Sequence, residues 1–523
     1  MKLITSAQMR ELDLRTIREG GIPGEELMDR AGRGVAELVR HMADITGTLN
    51  PCALLFAGRG NNGGDAFATA RHLKDMGFDV WVWLAGTESQ VEGDSLKHLT
   101  SLKSMDVDVE EMPEKENWET RLQSPAGADF LIDGLLGTGS SGAARGTIAA
   151  AIQYINRVAN DAFVISIDMP SGLNADTGVA EGDAVYADVT VTLGAPKVGL
   201  IAPGALEFVG GLEVADIGIP MEWIRALPAK SDLELIYSME LKRLLPRRVR
   251  SSHKGTYGHV LLIGGAKGTA GAIALAARAA ARSGVGLTTA LVPDGIQGTV
   301  AAASLETMVH GGPVTDAGTL ASSAWDAWVD RLEDFDAILV GPGLSTHPES
   351  RLLVRRILAD CRVPLVLDAD ALNVLAGHAR LIAHARCPVL LTPHPGELAR
   401  LIGRSISDIQ TDRLAAARET VNTTGAILAL KGAGTIVTAR ERSAFINLTG
   451  NPGMATGGCG DVLAGLMTGL VGQGIEPFEA CKAAVFLHGR AGDMAAWRVS
   501  QIGMVASDLV NDIPFVFREL TWR

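Results

Sequence analysis

ALLFAGRGNNGGDAFATARHLKDMG, residues 53–77, is an apolar run, a glycine-rich loop and a segment whose apolar positions fall at helical spacing. That order is a parallel βα unit: a strand buried on both faces reads as a continuous apolar run, and the glycines mark the turn into a helix. The same unit recurs downstream. DVWVWLAG (79–86), DFLIDGLLGTG (129–139), AFVISIDMPSG (162–172) and DVTVTLGAP (188–196) continue it, which predicts one doubly wound α/β domain. After LEVADIGIP the pattern lapses into a mixed segment, 221–255, with prolines and the basic run LKRLLPRRVR (241–250). We read that run as a solvated face rather than a nucleic-acid patch, and place a boundary there.

A second series then begins: GHVLLIGGAKG (258–268), LTTALVP (287–293), FDAILVGPG (335–343), PLVLDAD (364–370), PVLLTPHPGE (388–397), AILALKGAGT (426–435) and AFINLTG (444–450). The alanine-rich stretch AGAIALAARAAARSG (270–284) reads as a helix able to pack its backbone close to a sheet. The expected domains are residues 1–225 and 226–523. Such a division suits 523 residues, too many for one core of ordinary size.

Composition is globular, with 47% hydrophobic and 20% charged residues. The net charge of −13 argues against a sequence-independent grip on nucleic acid, which needs a basic face. Five widely spaced cysteines suggest neither a disulfide framework nor a Cys-x-x-Cys metal site. With no signal-peptide core and no window of 18 apolar residues, the expectation is a cytoplasmic protein without a membrane partner.

In the first half GRGNNGGD (58–65) fits neither Gly-x-Gly-x-x-Gly nor a Walker loop. Its glycines let backbone approach a ligand, and the following helix offers free N–H groups to an anion. The bland alternative is a tight turn with Asp65 as helix N-cap. Asn62, Asp133, Asp168 and Ser171 all fall just past strand ends, where open α/β sheets form their crevice. Their oxygens suit a hard cation, and potassium and magnesium both remain open at this point.

In the second half, NPGMATGGCGD (451–461) places a carboxylate at a helix start behind a Gly-x-Gly turn. The helix end can stabilise charge on a transferred phosphoryl group, and Asp461 can accept a hydroxyl proton. A plain helix cap is the alternative. Cys459 lacks a basic neighbour that would lower its pKa, so Asp461 rather than the thiol is the expected reactive group. His394 sits in the proline-stiffened TPHPGE, and Lys431 between an apolar strand and Gly-Ala-Gly; each has a bland reading as a satisfied loop or strand-end residue.

GNNGGD, IDGLLGTG, DMPSGLNADTG and TLGAPKVG together resemble the NAD(P)H-hydrate epimerase domain, a Rossmann-like three-layer sandwich, over most of residues 1–225. The resemblance implies substrate contacts from Asn61, Asn62, Gly63, Gly64 and Asp65, from Gly137, Thr138, Gly139, Ser140, Ser141, Gly142 and Ala143, and from Asp168. It implies potassium ligation by Asn62, Asp133 and Ser171, and Asp168 is the candidate for the proton chemistry. Arg59 and Ala66 stand where small residues or glycine are common in that family.

HKGTYGHVLLIGGAKGTAGA, GPGLST, DADALN, LTPHPGE, LKGAGT and NPGMATGGCGD are similar to the NAD(P)H-hydrate dehydratase domain, a ribokinase-like α/β fold, over about 235–523. By that resemblance Lys431, Gly432, Ala433, Gly434, Thr435 and Gly460 bind the adenine nucleotide. Ala272, Gly343, His394 and Asp461 contact the hydrated dinucleotide, with Asp461 as the base. Ala266 replaces a common serine. The implied protein is bifunctional: it epimerises hydrated NADH and NADPH (NADHX and NADPHX) and dehydrates the S form with ADP, giving AMP and phosphate. Magnesium on the phosphates, potassium in the first domain and a homo-oligomer are further implications. The alternative is a ribokinase-like vitamin-precursor kinase with a non-catalytic N-terminal binding domain.

Overall fold

A computed structural model describes residues 1–122 and 127–521. The chain forms two compact units, Met1–Leu235 and Ile236–Arg523.

The first unit holds strands β1 (Cys52–Ala57), β2 (Asp79–Leu84), β3 (Val109–Glu111), β4 (Phe130–Gly134), β5 (Phe163–Ile167), β6 (Val189–Leu193) and β7 (Gly211–Ala215); β8 (Leu233–Leu235) ends it. The sheet order is β3-β2-β1-β4-β5-β6-β7, and every neighbouring pair is parallel. The order reverses between β1 and β4, so a crevice opens at their carboxyl ends. Into it run the Gly58 loop, Leu135 and the residues after β5. Strands β1 and β4 are buried almost throughout, which explains their unbroken apolar runs.

One sheet face carries the helix Asn61–Asp75, and Gly24–Thr46 packs on that helix so closely that a Cβ on Gly32 would stand 2.5 Å from the Ala68 Cβ. An aromatic cluster of Phe56, Trp83, Trp118 and Tyr154 fills another part of the core, with the Trp83 and Tyr154 rings 5.3 Å apart. The N-terminus closes the unit through an antiparallel bridge from Lys2 to Glu234.

The second unit contains β9 (His259–Ile263), β10 (Leu287–Pro293), β11 (Thr307–Gly312), β12 (Ala337–Val340), β13 (Leu365–Leu367), β14 (Val389–Leu391), β15 (Ile427–Leu430), β16 (Thr435–Thr438) and β17 (Ala444–Asn447). They run in the order β11-β10-β9-β12-β13-β14-β15-β16-β17. The strands from β11 to β15 are parallel, whereas β15, β16 and β17 pair antiparallel. The uniform βα reading of this half therefore breaks at Lys431, where a hairpin replaces a crossover.

The alanine-rich segment is the helix Ala270–Arg282, and its tightest packing is against a helix, Cys459–Gly472, rather than the sheet. A Cβ on Gly465 would lie 2.0 Å from the Ala276 carbonyl oxygen, so only glycine admits this contact. Among the described residues no helix is long and apolar enough to cross a membrane.

Candidate active sites

In the first unit Gly60 caps the helix Asn61–Asp75, and Asp65 lies inside that helix. The N-cap reading of Asp65 is thereby excluded. A Cβ on Gly63 would sit 1.8 Å from the Gly58 carbonyl oxygen, and one on Gly58 would sit 2.0 Å from that of Leu135. These glycines let the helix start press onto the ends of β1 and β4. Asn62 is consequently buried, its Nδ2 donating to the carbonyls of Leu136 (2.9 Å) and Ile167 (3.2 Å). Its Oδ1 accepts no hydrogen bond among the described residues.

Asp133, at the end of β4, is fully buried. Its Oδ1 accepts from Ser171 Oγ (2.6 Å) and Leu135 N (3.2 Å), and its Oδ2 from Ser171 N and Ser166 Oγ (both 2.9 Å). Burial raises its pKa and the Ser171 bonds oppose the rise. Ser171 Oγ also accepts from Leu136 N at 2.9 Å. Asn62, Asp133 and Ser171 therefore converge around Leu136, as their strand-end positions suggested.

Asp168 follows β5 with a left-handed φ of 68°, a strained choice for a non-glycine residue. The strain is held by a buried ion pair: Lys197 Nζ contacts Asp168 Oδ1 and also donates to Thr192 Oγ1 and the Leu193 carbonyl, both at 3.0 Å. Thr138 N donates to Asp168 Oδ2 at 3.3 Å, tying the Gly137–Ala143 loop to the same carboxylate. The rest of that loop is more open, with Gly139, Ser141, Gly142 and Ala143 exposed.

Two further carboxyls share this electrostatic neighbourhood. Burial pushes Asp65 well above the carboxylate range, with Asp168 and Asp13 adding and Lys197 opposing. Burial likewise pushes Asp13 up to about 6, against Lys197. Sequence reasoning missed Lys197 and Asp13 as site residues. Lys197 lies in TLGAPKVG, where a lysine in an apolar strand-end run was the available signal; Asp13, on an ordinary amphipathic helix, gave none.

In the second unit Gly458, with φ 96°, caps Cys459–Gly472 and leaves Asp461 in its first turn. The Asp461 carboxyl has no hydrogen bond or ion pair among the described residues. Burial pushes it up to about 7, with Asp368 adding and Lys431 opposing. Lys431 Nζ lies 2.9 Å from Asp368 Oδ1 and 3.6 Å from Glu397 Oε2. Burial works against its charge, and the two carboxylates outweigh burial and raise its pKa. A Cβ on Gly460 would stand 3.2 Å from Lys431 Nζ, so the glycine lets the ammonium sit close to the helix start.

His394 caps the helix Pro395–Ile402, its Nδ1 accepting from Gly396 N (3.0 Å) and Glu397 N (3.3 Å). An accepting Nδ1 requires the neutral ring, and burial lowers the His394 pKa in the same direction. Ala272 and Gly343 meet through Thr269: Thr269 Oγ1 donates to the Gly343 carbonyl at 2.8 Å, and Ala272 N to the Thr269 carbonyl at 3.3 Å. Gly343 itself has φ 65°.

Residues 432–434 form the hairpin turn between β15 and β16, which Thr435 begins, with Gly432 and Ala433 exposed. Among the described residues this turn makes no hydrogen bond with Ala272, Gly343 or His394. It is braced by Arg413, which donates to the carbonyls of Ala433, Leu430 and Lys431. Arg413, Asp368 and Glu397 are the residues that sequence reasoning left unassigned here; Asp368 and Glu397 lie in the motifs DADALN and LTPHPGE, and Arg413 carries no local signature. Cys459 is buried, and burial pushes its thiol up to about 11, so it stays protonated near neutral pH. The nearby His488 binds the Cys459 carbonyl at 2.8 Å.

Comparison with known proteins gives two family matches: YjeF-related protein N-terminus over residues 24–199, and NAD(P)H-hydrate dehydratase over residues 260–515. The bifunctional NAD(P)H-hydrate repair enzyme Nnr of Moorella thermoacetica is 42% identical over 521 residues, covering 99% of this chain and 97% of that protein. The enzyme of the same name from Escherichia coli is 34% identical, covering 94% of this chain and 89% of its own length. A ribokinase-like superfamily protein from Enterococcus faecalis has a solved structure with TM-score 0.50 and 27% identity, covering 57% of this chain and 99% of that one.

Proposed function

Since the chain belongs to the family of bifunctional NAD(P)H-hydrate repair enzymes, we propose that its two halves divide that repair. Residues 1–225 interconvert the C6 epimers of hydrated NADH and NADPH, and residues 226–523 dehydrate the S epimer using ADP. The observation that carries the dehydratase assignment is the unpartnered Asp461 carboxyl at a helix start, pushed up to about 7. At that value it is a competent base near neutral pH. It takes the proton of the substrate's C6 hydroxyl as that oxygen attacks the terminal phosphate of ADP, releasing AMP. Free N–H groups of the Gly458 turn stabilise the charge on the transferred group. Phosphate then leaves C6 as a C5 proton is lost, and the nicotinamide double bond returns.

Gly432, Ala433, Gly434 and Thr435, braced by Arg413, form the nucleotide loop, while Lys431 and Gly460 sit beside the transferred phosphate. Ala272, Gly343 and the neutral His394 line the dinucleotide's place. Among the described residues no group of three or more His, Cys, Asp or Glu side chains is arranged to hold a metal. A magnesium ion therefore fits as one carried on the nucleotide's phosphates, where it would neutralise phosphoryl charge.

In the first unit, Asn62, Asp133 and Ser171 form the potassium pocket. Asp133 already accepts four hydrogen bonds, which fills its acceptor positions. It supplies the charge, and Asn62 Oδ1 and Ser171 Oγ supply oxygen lone pairs. Asn61 to Asp65 and the Gly137–Ala143 loop bind the substrate, with Asp168 at the reacting centre. Five free cysteines suit a reducing cytoplasm, and a homo-oligomer is the expected assembly, measurable by light scattering.

The test uses purified full-length protein with separated (R)- and (S)-NADHX. Recovery of NADH absorbance from both epimers with ADP supports the proposal. A stable phosphorylated small molecule formed with ATP, without NADH recovery, would support the kinase alternative instead.

A further inference from the structure

We propose that Asp65 is the proton donor of C6 epimerisation and that the Lys197–Asp168 ion pair is the fixed charge beside it; this rests on the epimerase reading of the first unit. Asp65 is 8% exposed, and while its backbone carbonyl accepts from Thr69 Oγ1 at 2.7 Å, its carboxyl has neither hydrogen bond nor ion pair among the described residues. Asp168, in contrast, is pinned. Its Oδ1 takes Lys197 and Leu193 N (3.3 Å), its Oδ2 takes Thr138 N, and its backbone is held at φ 68°. All three protons of the fully buried Lys197 are likewise committed, to Asp168, Thr192 and Leu193. A group so bound serves as fixed charge, because moving its proton would break a buried pair. A proton carrier needs a free bond to make, and Asp65 alone of the three has one. Burial next to Asp168 also favours its protonated form, as a donor requires.

The chemistry follows from the substrate. C6 of the hydrated ring bears a hydroxyl and the ring nitrogen N1, so its configuration changes if the C6–O bond breaks and reforms on the other face. Asp65 gives its proton to the departing hydroxyl, which leaves as water with the C6–O electron pair. The N1 lone pair forms the C6–N1 double bond, and the Asp168 carboxylate stabilises the resulting cation. Water adds to the opposite face, its oxygen supplying the new C6–O pair, and its proton returns to Asp65. One water leaves and one enters, and no redox change occurs.

The experiment uses the full chain with (R)-NADHX and no nucleotide, following appearance of the S epimer chromatographically, with ADP-dependent dehydration of the S epimer as a check on the second unit. Asp65→Asn, which keeps size and removes the acid, should slow interconversion by about 10²-fold or more while S dehydration is unchanged. Asp65→Glu should recover part of the rate. The wild-type rate should fall as pH rises and Asp65 loses its proton, with Asp13, Asp168 and Lys197 as the charged groups facing it. Asp65→Asn should lack that limb. An Asp65→Asn rate within about threefold of wild type, far below a general acid's contribution, overturns the proposal. If that variant does not fold, judged by fluorescence of the core tryptophans, a wild-type rate that stays flat or rises with pH overturns it. A wild type that leaves the R epimer unchanged overturns the epimerase reading itself, and this proposal with it.

Discussion

Lys431 Nζ stands 2.9 Å from Asp368 Oδ1 and 3.6 Å from Glu397 Oε2, and its charge offsets the carboxylates that surround Asp461. Asp368 is 1% exposed. Lys431→Met would leave that carboxylate buried and unpaired, at a cost of about 3–5 kcal/mol. It would also remove the charge that holds the Asp461 pKa down. The expected outcome is a lower unfolding midpoint in urea, and a dehydration pH profile whose acidic limb moves to higher pH. An unmoved limb in a folded variant would sever Lys431 from the base.

Asp461→Asn removes the proposed base and should reduce dehydration of (S)-NADHX by about 10²–10⁴-fold with epimer exchange unaffected. The wild-type rate should rise with pH through about 7, where burial places Asp461. The same shift affects stability in the opposite sense. A folded-state pKa raised from 3.8 to about 7 means the unfolded chain loses its proton first, so this group's contribution falls between those two pH values. Asp461→Asn, which does not titrate, should therefore gain on wild type as pH rises from 4 to 7. The gain is on the order of 4 kcal/mol at most, by the energy of a pKa unit. Urea titrations at pH 4.5 and 8 measure the difference.

Cys459→Ser should keep dehydratase activity within about threefold, since a thiol pushed up to about 11 carries almost no thiolate at neutral pH. Alkylation of the folded protein with iodoacetamide at pH 7.5, read by mass spectrometry, should leave Cys459 unmodified. Rapid loss of activity tied to its modification would restore the cysteine to the chemistry.

Much of this was legible in the sequence because buried parallel strands leave unbroken apolar runs. VLLIGG, AILVGPG and PLVLDAD each give a strand and the turn that carries its site residues. The strands that did not stand out are β3, β7, β8, β11 and β16: VEE, GLEVA and LEL are part exposed or short, TMVHGG is part exposed, and TIVT follows directly on the turn after Lys431. The aspartates proposed for the sites were singled out for the same positional reason, at strand and helix ends. Lys197, Asp13 and Arg413 were harder to read, because what distinguishes them is a neighbour remote in sequence. The Lys197–Asp168 pair spans 29 residues, and Arg413 braces a turn 20 residues on.

Two glycines of the sites differ in what they tolerate. A Cβ at Gly63 meets backbone, the Gly58 carbonyl oxygen, at 1.8 Å, whereas one at Gly460 meets the end of a flexible lysine at 3.2 Å. Backbone cannot step aside, so Gly63→Ala must push the helix start off the ends of β1 and β4, carrying Asn62 and Asp65 with it. Overpacking of this kind costs about 1–3 kcal/mol or more, and epimer exchange should fall by about 10²-fold from misplacement alone. Gly460→Ala asks only that Lys431 yield by a few tenths of an ångström. It should leave stability nearly unchanged and act through the Lys431 contact, raising the KM for ADP more than it lowers kcat. Steady-state kinetics of both variants on both epimers, beside their urea midpoints, checks the contrast; equal stability losses would show that the first unit relaxes around Gly63 as the second does around Gly460.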